Sequence, residues 1–167
     1  MKTLKSTALK VNGLTLKWNL NSVLGFTDQE TLKCDFDDCK FGDAKQLAEK
    51  ITKRFKMGGY ILLRSSKDNY HAIFDREVTW SENISIMSWV ALTFKNKTGF
   101  LRWFLLQGIR QASTLRVSSK KEKSSPRIVF RFGCQKNQIE GFLLFRLRLK
   151  RIMVKAHLDL TEQNENV

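Results

Sequence analysis

Acidic residues are scarce in this chain. Asp and Glu number 16 against 30 Lys and Arg, for a net charge of +14. That balance disfavours a basic partner and favours an anionic one, of which nucleic acid is the commonest. The shortage is uneven. Between Lys97 and Lys136 there are ten basic residues and a single acid, Glu122, and residues 97–115 hold no acid at all. Uneven charge of this kind is the footprint expected of a binding surface. Long apolar runs are also missing. None reaches the roughly 18 residues a membrane helix needs, so no membrane span is expected. The opening MKTLKSTALKVNGLTLKW alternates polar and apolar residues and contains no unbroken apolar core, so it does not read as a signal peptide. Cysteine is limited to Cys34, Cys39 and Cys134. An odd count at these spacings fits neither a disulfide framework nor a zinc motif. The three read as buried free thiols in a reducing, cytoplasmic setting.

What is present supports one folded domain. The length of 167 residues, the 42% hydrophobic content and the 12 Phe allow a real core. TALKVNGLTLKW reads as a hairpin around Asn12-Gly13. In LKCDFD, Leu32, Cys34 and Phe36 share one face of a strand, and Lys33, Asp35 and Asp37 share the other. Asp43 is placed to cap a helix over AKQLAEKITKRF, whose apolar stripe is Ala44, Leu47, Ala48, Ile51 and Phe55, with Gly58-Gly59 ending it. YILLR and YHAIF read as strands joined by SSKDN. Ser81 is placed to cap a helix through NISIMSWVALTF, and another helix covers GFLRWFLLQGIRQ. TLRVS and RIVFRFG read as strands around the charged loop SKKEKSSP. FLLFRLRLKRIMVKAHLDL fits a strand by its alternation and a helix by Ile139, Phe142, Leu143 and Arg146. The expectation is a single α+β domain over residues 1–160, with a mostly antiparallel sheet packed with helices, and a polar tail over 161–167.

Two stretches point to chemistry. Asp35 and Asp37, at i and i+2 on a strand, lie roughly 6.5 Å apart along the chain. Two such carboxylates repel unless a cation intervenes, and Mg²⁺ or Mn²⁺ takes hard oxygen ligands of this kind. The bland alternative is a solvated strand face helped by Lys33. The second stretch is RSSKDNYHAIF. Its backbone N–H groups, the hydroxyls of Ser65 and Ser66, and the cations Arg64 and Lys67 suit phosphate. His71 follows on the same strand as Ile73.

A hydrophobic strand carrying Asp-x-Asp, then a helix, then a hairpin carrying Ser and His, resembles the archaeo-eukaryotic primase, or primase-polymerase, superfamily. The likeness covers residues 30–75 and extends loosely to TLRVSSK. It implies a primase/RRM-like catalytic core and a metal-dependent nucleotidyltransferase acting on a single-stranded template, with single-stranded DNA favoured and nucleoside triphosphates as substrate. Asp35 and Asp37 would hold Mg²⁺ or Mn²⁺, and His71 with Ser65 and Ser66 would contact the phosphates. Arg64 and Lys67 join them on grounds of charge. Arg116, Lys120, Lys121, Arg127 and Arg131 would hold the nucleic-acid backbone. Small stand-alone members of this type suit a plasmid or a virus. The family also has a third acidic ligand downstream of the histidine, where this chain offers only the amides Gln107 or Gln111; the acids considered in its place are Asp38, Asp75 and Asp159. The alternative is a non-catalytic DNA-binding accessory protein for replication, built on a degenerate primase scaffold.

Other nucleases fit less well. The His-hydrophobe-His replication initiators need adjacent histidines, and here His71 and His157 stand far apart. RNase H-like nucleases want acids on later elements, where this chain has few. Trp80, Trp89, Trp103, Phe94, Phe100 and Phe104 sit at helical spacing and read as core. Phe130 and Phe132 alternate with Arg131, which suits a binding face or a half-buried strand.

Overall fold

The structure is a computed structural model that describes residues 7–11, 14–18, 23–94, 97–120 and 124–164, with side chains described within 23–94, 98–120 and 124–153. Twelve elements follow one another. They are β1 (Thr7–Val11), β2 (Leu14–Trp18), β3 (Gly25–Asp28), β4 (Thr31–Phe36), α1 (Phe41–Phe55), β5 (Gly59–Ser66), β6 (Asn69–Glu77), α2 (Trp80–Thr93), α3 (Lys97–Arg110), β7 (Ser113–Arg116), β8 (Arg127–Gly133) and α4 (Gln138–Asn164).

The centre is a four-stranded antiparallel sheet in the order β4-β6-β5-β8. Both β4 and β5 run antiparallel to β6, so they are parallel to each other. β4-α1-β5 is therefore a crossover whose two strands are split by β6. β3 and β7 form a separate two-stranded ribbon, and β1 pairs with β2 from Thr7↔Trp18 to Val11↔Leu14, as the Asn-Gly signal predicts. This is a single α+β domain with antiparallel sheets.

Strand alternation divides the sheet's side chains between two cores. Leu32, Cys34 and Phe36 of β4, Tyr60 and Leu62 of β5, and Tyr70, Ala72 and Phe74 of β6 pack against α1, α2 and α3. Ile61, Leu63 and Ile73 face the other way and meet Leu115, Val117, Ile139 and Phe142. A helical sequence is needed to supply Ile139 and Phe142 to one face, and this settles the ambiguous segment: it is α4. The buried side chain of Asp75 on β6 fixes where α4 begins. Its carboxylate accepts from the backbone N–H groups of Lys136 (3.1 Å), Asn137 (3.1 Å) and Ile139 (3.0 Å). Such acceptors satisfy donors that a helix N-terminus leaves open.

Several local expectations need correction. α1 starts two residues before Asp43, with Lys40 at the cap position, and Asp43 instead lies in the first turn. α2 is capped by Thr79, whose Oγ1 accepts from the Glu82 N–H at 3.2 Å, rather than by Ser81. Thr79-x-x-Glu82 is the better capping sequence. The hairpin linker shrinks to Lys67 and Asp68, since Ser65, Ser66 and Asn69 lie on strands. α4 runs through Asn164, so the first four residues of the expected tail are helical, and the last three lie outside the described residues. Cys34 and Cys39 are buried, but Cys134 is exposed just past β8. Phe94 and Phe100 are core, with Trp80, Trp89, Trp103 and Phe104 partly buried against it.

Lys33 shows that the polar face of β4 is not solvated. It is fully buried, and its Nζ donates to Asp28 Oδ1 at 2.8 Å and to Ser113 Oγ at 3.1 Å. Asp28 is on β3 and Ser113 on β7, so this ammonium ties the ribbon to the sheet. Burial pushes its pKa down to about 8, with Asp28 opposing the shift.

Candidate nucleotide and nucleic-acid site

The split crossover places Asp35 of β4 directly opposite His71 of β6. His71 Nε2 lies 3.5 Å from Asp35 Oδ1. The imidazole is almost fully buried, while the Asp35 side chain keeps 21% exposure with its Oδ1 turned inward. Burial, and then the nearby guanidinium groups of Arg116 and Arg146, push the His71 pKa down to about 3. His71 is therefore a neutral ring at physiological pH, able to donate one N–H and accept at the other nitrogen.

Arg116 arrives from the end of β7. Its Nη2 donates to the Ser65 carbonyl at 2.8 Å, and its Nη1 to the carbonyls of Ser118 (2.6 Å) and Ser124 (3.0 Å). These three carbonyls fix the guanidinium over the end of β5, within electrostatic reach of Asp35. Arg146 comes from α4 and is held by the Pro126 carbonyl at 2.7 Å. Four elements thus place one carboxylate, one neutral imidazole and two guanidinium groups together. Sequence reasoning missed Arg146, because FRLRLK alternates like a strand. Only the helical reading of that segment puts it on the inner side of α4.

The hairpin behind this cluster is tightly bonded. Asn69 Nδ2 donates to Ser66 Oγ (2.8 Å) and to the Lys67 carbonyl (2.6 Å), and Ser65 Oγ donates to the Asn69 carbonyl (3.3 Å). The turn after β4 is laced to it, with Asp38 N–H donating to Asn69 Oδ1 (3.1 Å) and Cys39 N–H to the Asp68 carbonyl (2.7 Å). Asp35, His71, Ser65 and Arg116 are therefore brought together on one framework. Lys67 is exposed at the tip of the hairpin.

Other expected residues go elsewhere. Asp37 lies past the end of β4, against the first turn of α3. A Cβ on Gly99 would sit 2.6 Å from Asp37 Cβ and 3.1 Å from its Oδ2. A carboxylate beside a helix N-terminus is favourable there, so Asp37 helps seat α3. Arg64 pairs with Tyr70 in register and leaves the opposite face of the sheet from His71. Arg127 is directly opposite Arg64, on that same far face. Arg131 is opposite Ile61, on the α4 side, where its Nη1 donates to Gln135 Oε1 at 2.6 Å. Lys120 is exposed, and Lys121 lies outside the described residues. Of the acids considered as a third ligand, Asp75 is occupied in holding α4 at the far end of β6. Gln107 is buried and binds the Thr114 N–H at 2.9 Å through its Oε1.

Among the described residues, no three His, Cys, Asp or Glu side chains come together as a metal-binding group. Mg²⁺ and Mn²⁺ in phosphoryl-transfer sites are commonly held by one or two carboxylates together with substrate phosphates. Asp35, partly exposed and within electrostatic reach of Arg116, would supply one such carboxylate. No helix among the described residues is long and apolar enough to cross a membrane. No known family model, curated protein or solved structure matches the chain.

Proposed function

We propose that this protein handles nucleic acid and nucleotides in the manner of a primase-polymerase, as a metal-dependent nucleotidyltransferase on a single-stranded template, with single-stranded DNA favoured. The observation that carries the reading is the convergence of Asp35, His71 and the carbonyl-anchored Arg116 at one end of the sheet. In this reading Arg116 pairs with phosphate oxygens of a nucleoside triphosphate, and its three carbonyl anchors keep it from swinging away. His71, neutral and buried beside Asp35, positions that carboxylate without adding charge. Asp35 would hold Mg²⁺ or Mn²⁺, which would supply neutralisation of the charge developing on the transferred phosphoryl group. Phosphoryl transfer needs chiefly positioning and charge neutralisation, so these groups can serve without a separate acid–base residue.

The test is nucleotide binding by isothermal titration with a nucleoside triphosphate, with and without Mn²⁺. The wild type is expected to bind more tightly with the metal. Asp35→Asn should abolish the metal dependence but keep residual binding, and Arg116→Gln should weaken binding in both conditions. Wild-type affinity that is the same with and without metal would refute the assigned role of Asp35.

A second reading is favoured by the placement of Asp37 and Asp75. Both acids serve helices, Asp37 at the start of α3 and Asp75 at the start of α4. On that reading the same scaffold binds DNA as a replication accessory and transfers no nucleotides. Nucleic-acid binding that is independent of metal, with no metal-dependent nucleotide binding, would support it.

A further inference from the structure

The nucleic-acid reading leaves open where the strand lies. The surface on the far side of the sheet from His71 carries a second arrangement. Arg64 of β5 and Arg127 of β8 are direct cross-strand partners, and both are exposed. Like charges placed directly opposite each other destabilise a sheet. Among the described residues neither guanidinium has a carboxylate within salt-bridge distance. An anion lying across both would relieve the repulsion.

Aromatic rings line the same face. Phe130 and Phe132 of β8 are in register with Leu62 and Tyr60, whose side chains pack toward α1. Phe41, at the first position of α1, has its ring centroid 6.2 Å from that of Phe130. Lys45 Nζ lies 4.7 Å above the Phe130 ring, and this lysine also pairs with Glu49 at 3.7 Å. Phe41 and Phe132 remain 40% and 46% exposed. Large aromatic side chains are costly to leave in water, and here two of them share a sheet face with Arg64 and Arg127. β8 is the terminal strand of its sheet, so nothing in the sheet order lies beyond it.

We propose that this face of β8, with the N-terminal end of α1, is a binding track for single-stranded nucleic acid. Arg64 and Arg127 take backbone phosphates, while unpaired bases stack on Phe41 and Phe132. Charge complementarity selects a polyanion, and the exposed rings select one whose bases are free to stack. The proposal rests on the nucleic-acid reading but not on catalysis. It also separates Arg127, on the track, from Arg131, which leaves the other face.

The test is fluorescence-anisotropy titration over a range of salt, with a labelled 20-mer of dT, the matching 20-mer of rU, and a duplex of equal length. Because single-strand binding releases about 0.7 counterion per phosphate neutralised, Arg64→Gln/Arg127→Gln should flatten the salt slope by about 1.4. Phe41→Ala/Phe132→Ala should weaken single-strand binding at least about tenfold, from the usual stacking contribution of aromatic side chains, and leave duplex binding within about twofold. Phe132→Trp should preserve affinity. Arg102→Gln/Arg110→Gln on α3, an element beside the opposite sheet edge, removes the same two charges and should change affinity little. Thermal melts check that each variant is folded. Comparison of dT with rU decides whether the strand is DNA or RNA. Wild-type protein that binds neither single strand would overturn the nucleic-acid reading, and the track with it. Wild-type protein that binds while folded arginine and phenylalanine variants match it would overturn the track alone. Equal loss on duplex and single strand would refute base stacking.

Discussion

Asp75 offers a sharp test of the difference between an acid that folds the protein and an acid that acts in its chemistry. Its carboxylate accepts three backbone N–H bonds at 3.0–3.1 Å from the start of α4, and Asn137 Nδ2 adds a longer contact at 3.4 Å. Hydrogen bonds to a charged group contribute roughly 1.5–3 kcal/mol each. The Ile139 bond is buried, so about 1.5 kcal/mol is assigned to it. The Lys136 and Asn137 bonds are partly open to water and are given about half that each. Asp75→Ala should therefore destabilise the fold by about 3 kcal/mol. For a domain of this size that is a fall of about 6–12 °C in Tm. Asp75→Asn keeps one acceptor oxygen and should lose roughly half as much. Urea unfolding followed by circular dichroism measures both variants, and hydrogen exchange at the Ile139 amide reports the local effect. An Asp75→Ala protein within about 0.5 kcal/mol of wild type, the usual range for surface changes, would refute the argument that this carboxylate secures α4.

Three further predictions concern His71, Lys33 and Gly99. The His71 pKa is about 3 in the folded protein against about 6.5 unfolded, so below pH 6.5 the unfolded chain binds the extra proton. Stability should fall as pH drops from 6.5 toward 3, by at most about 1.4 kcal/mol per unit, and folded His71→Gln should show a shallower fall over that window in urea titrations. Lys33 is lowered to about 8 from 10.5, so between those values the unfolded state binds more protons and this group adds stability as pH rises. That gain should vanish in Lys33→Met, measured as the difference between the two proteins at pH 8 and pH 10. Gly99→Ala should cost about 1–3 kcal/mol by overpacking, since the new methyl would meet Asp37 Cβ at 2.6 Å, and a wild-type Tm would contradict the seating of α3 on Asp37.

How much of this was legible depended on how local the cause was. The β4-α1-β5-β6 series follows from period-2 and period-3.6 patterning within short windows. β3 gave little signal, because GFTD is four residues long and carries one large apolar side chain. The roles of Lys33 and Asp75 depend on partners far along the chain, Ser113 for one and Ile139 for the other, which no local window contains. Asp37 looked equivalent to Asp35 by spacing. The strand ends at Phe36, and the turn that follows carries Asp37 toward α3 instead. Arg64 and Ser65 were grouped by sequence as one phosphate loop. In the fold Ser65 meets Arg116 through its backbone carbonyl and spends its hydroxyl on the Asn69 carbonyl, while Arg64 stands opposite Arg127.

The most direct test of the nucleotidyltransferase account is a primer-synthesis and primer-extension assay on single-stranded DNA with Mn²⁺ or Mg²⁺, run beside Asp35→Asn. The account predicts metal-dependent incorporation of nucleotides by the wild type and its loss in a variant that remains folded and still binds DNA. Absence of incorporation with either metal, from wild-type protein that binds the template tightly, would contradict it and leave the non-catalytic accessory role in its place.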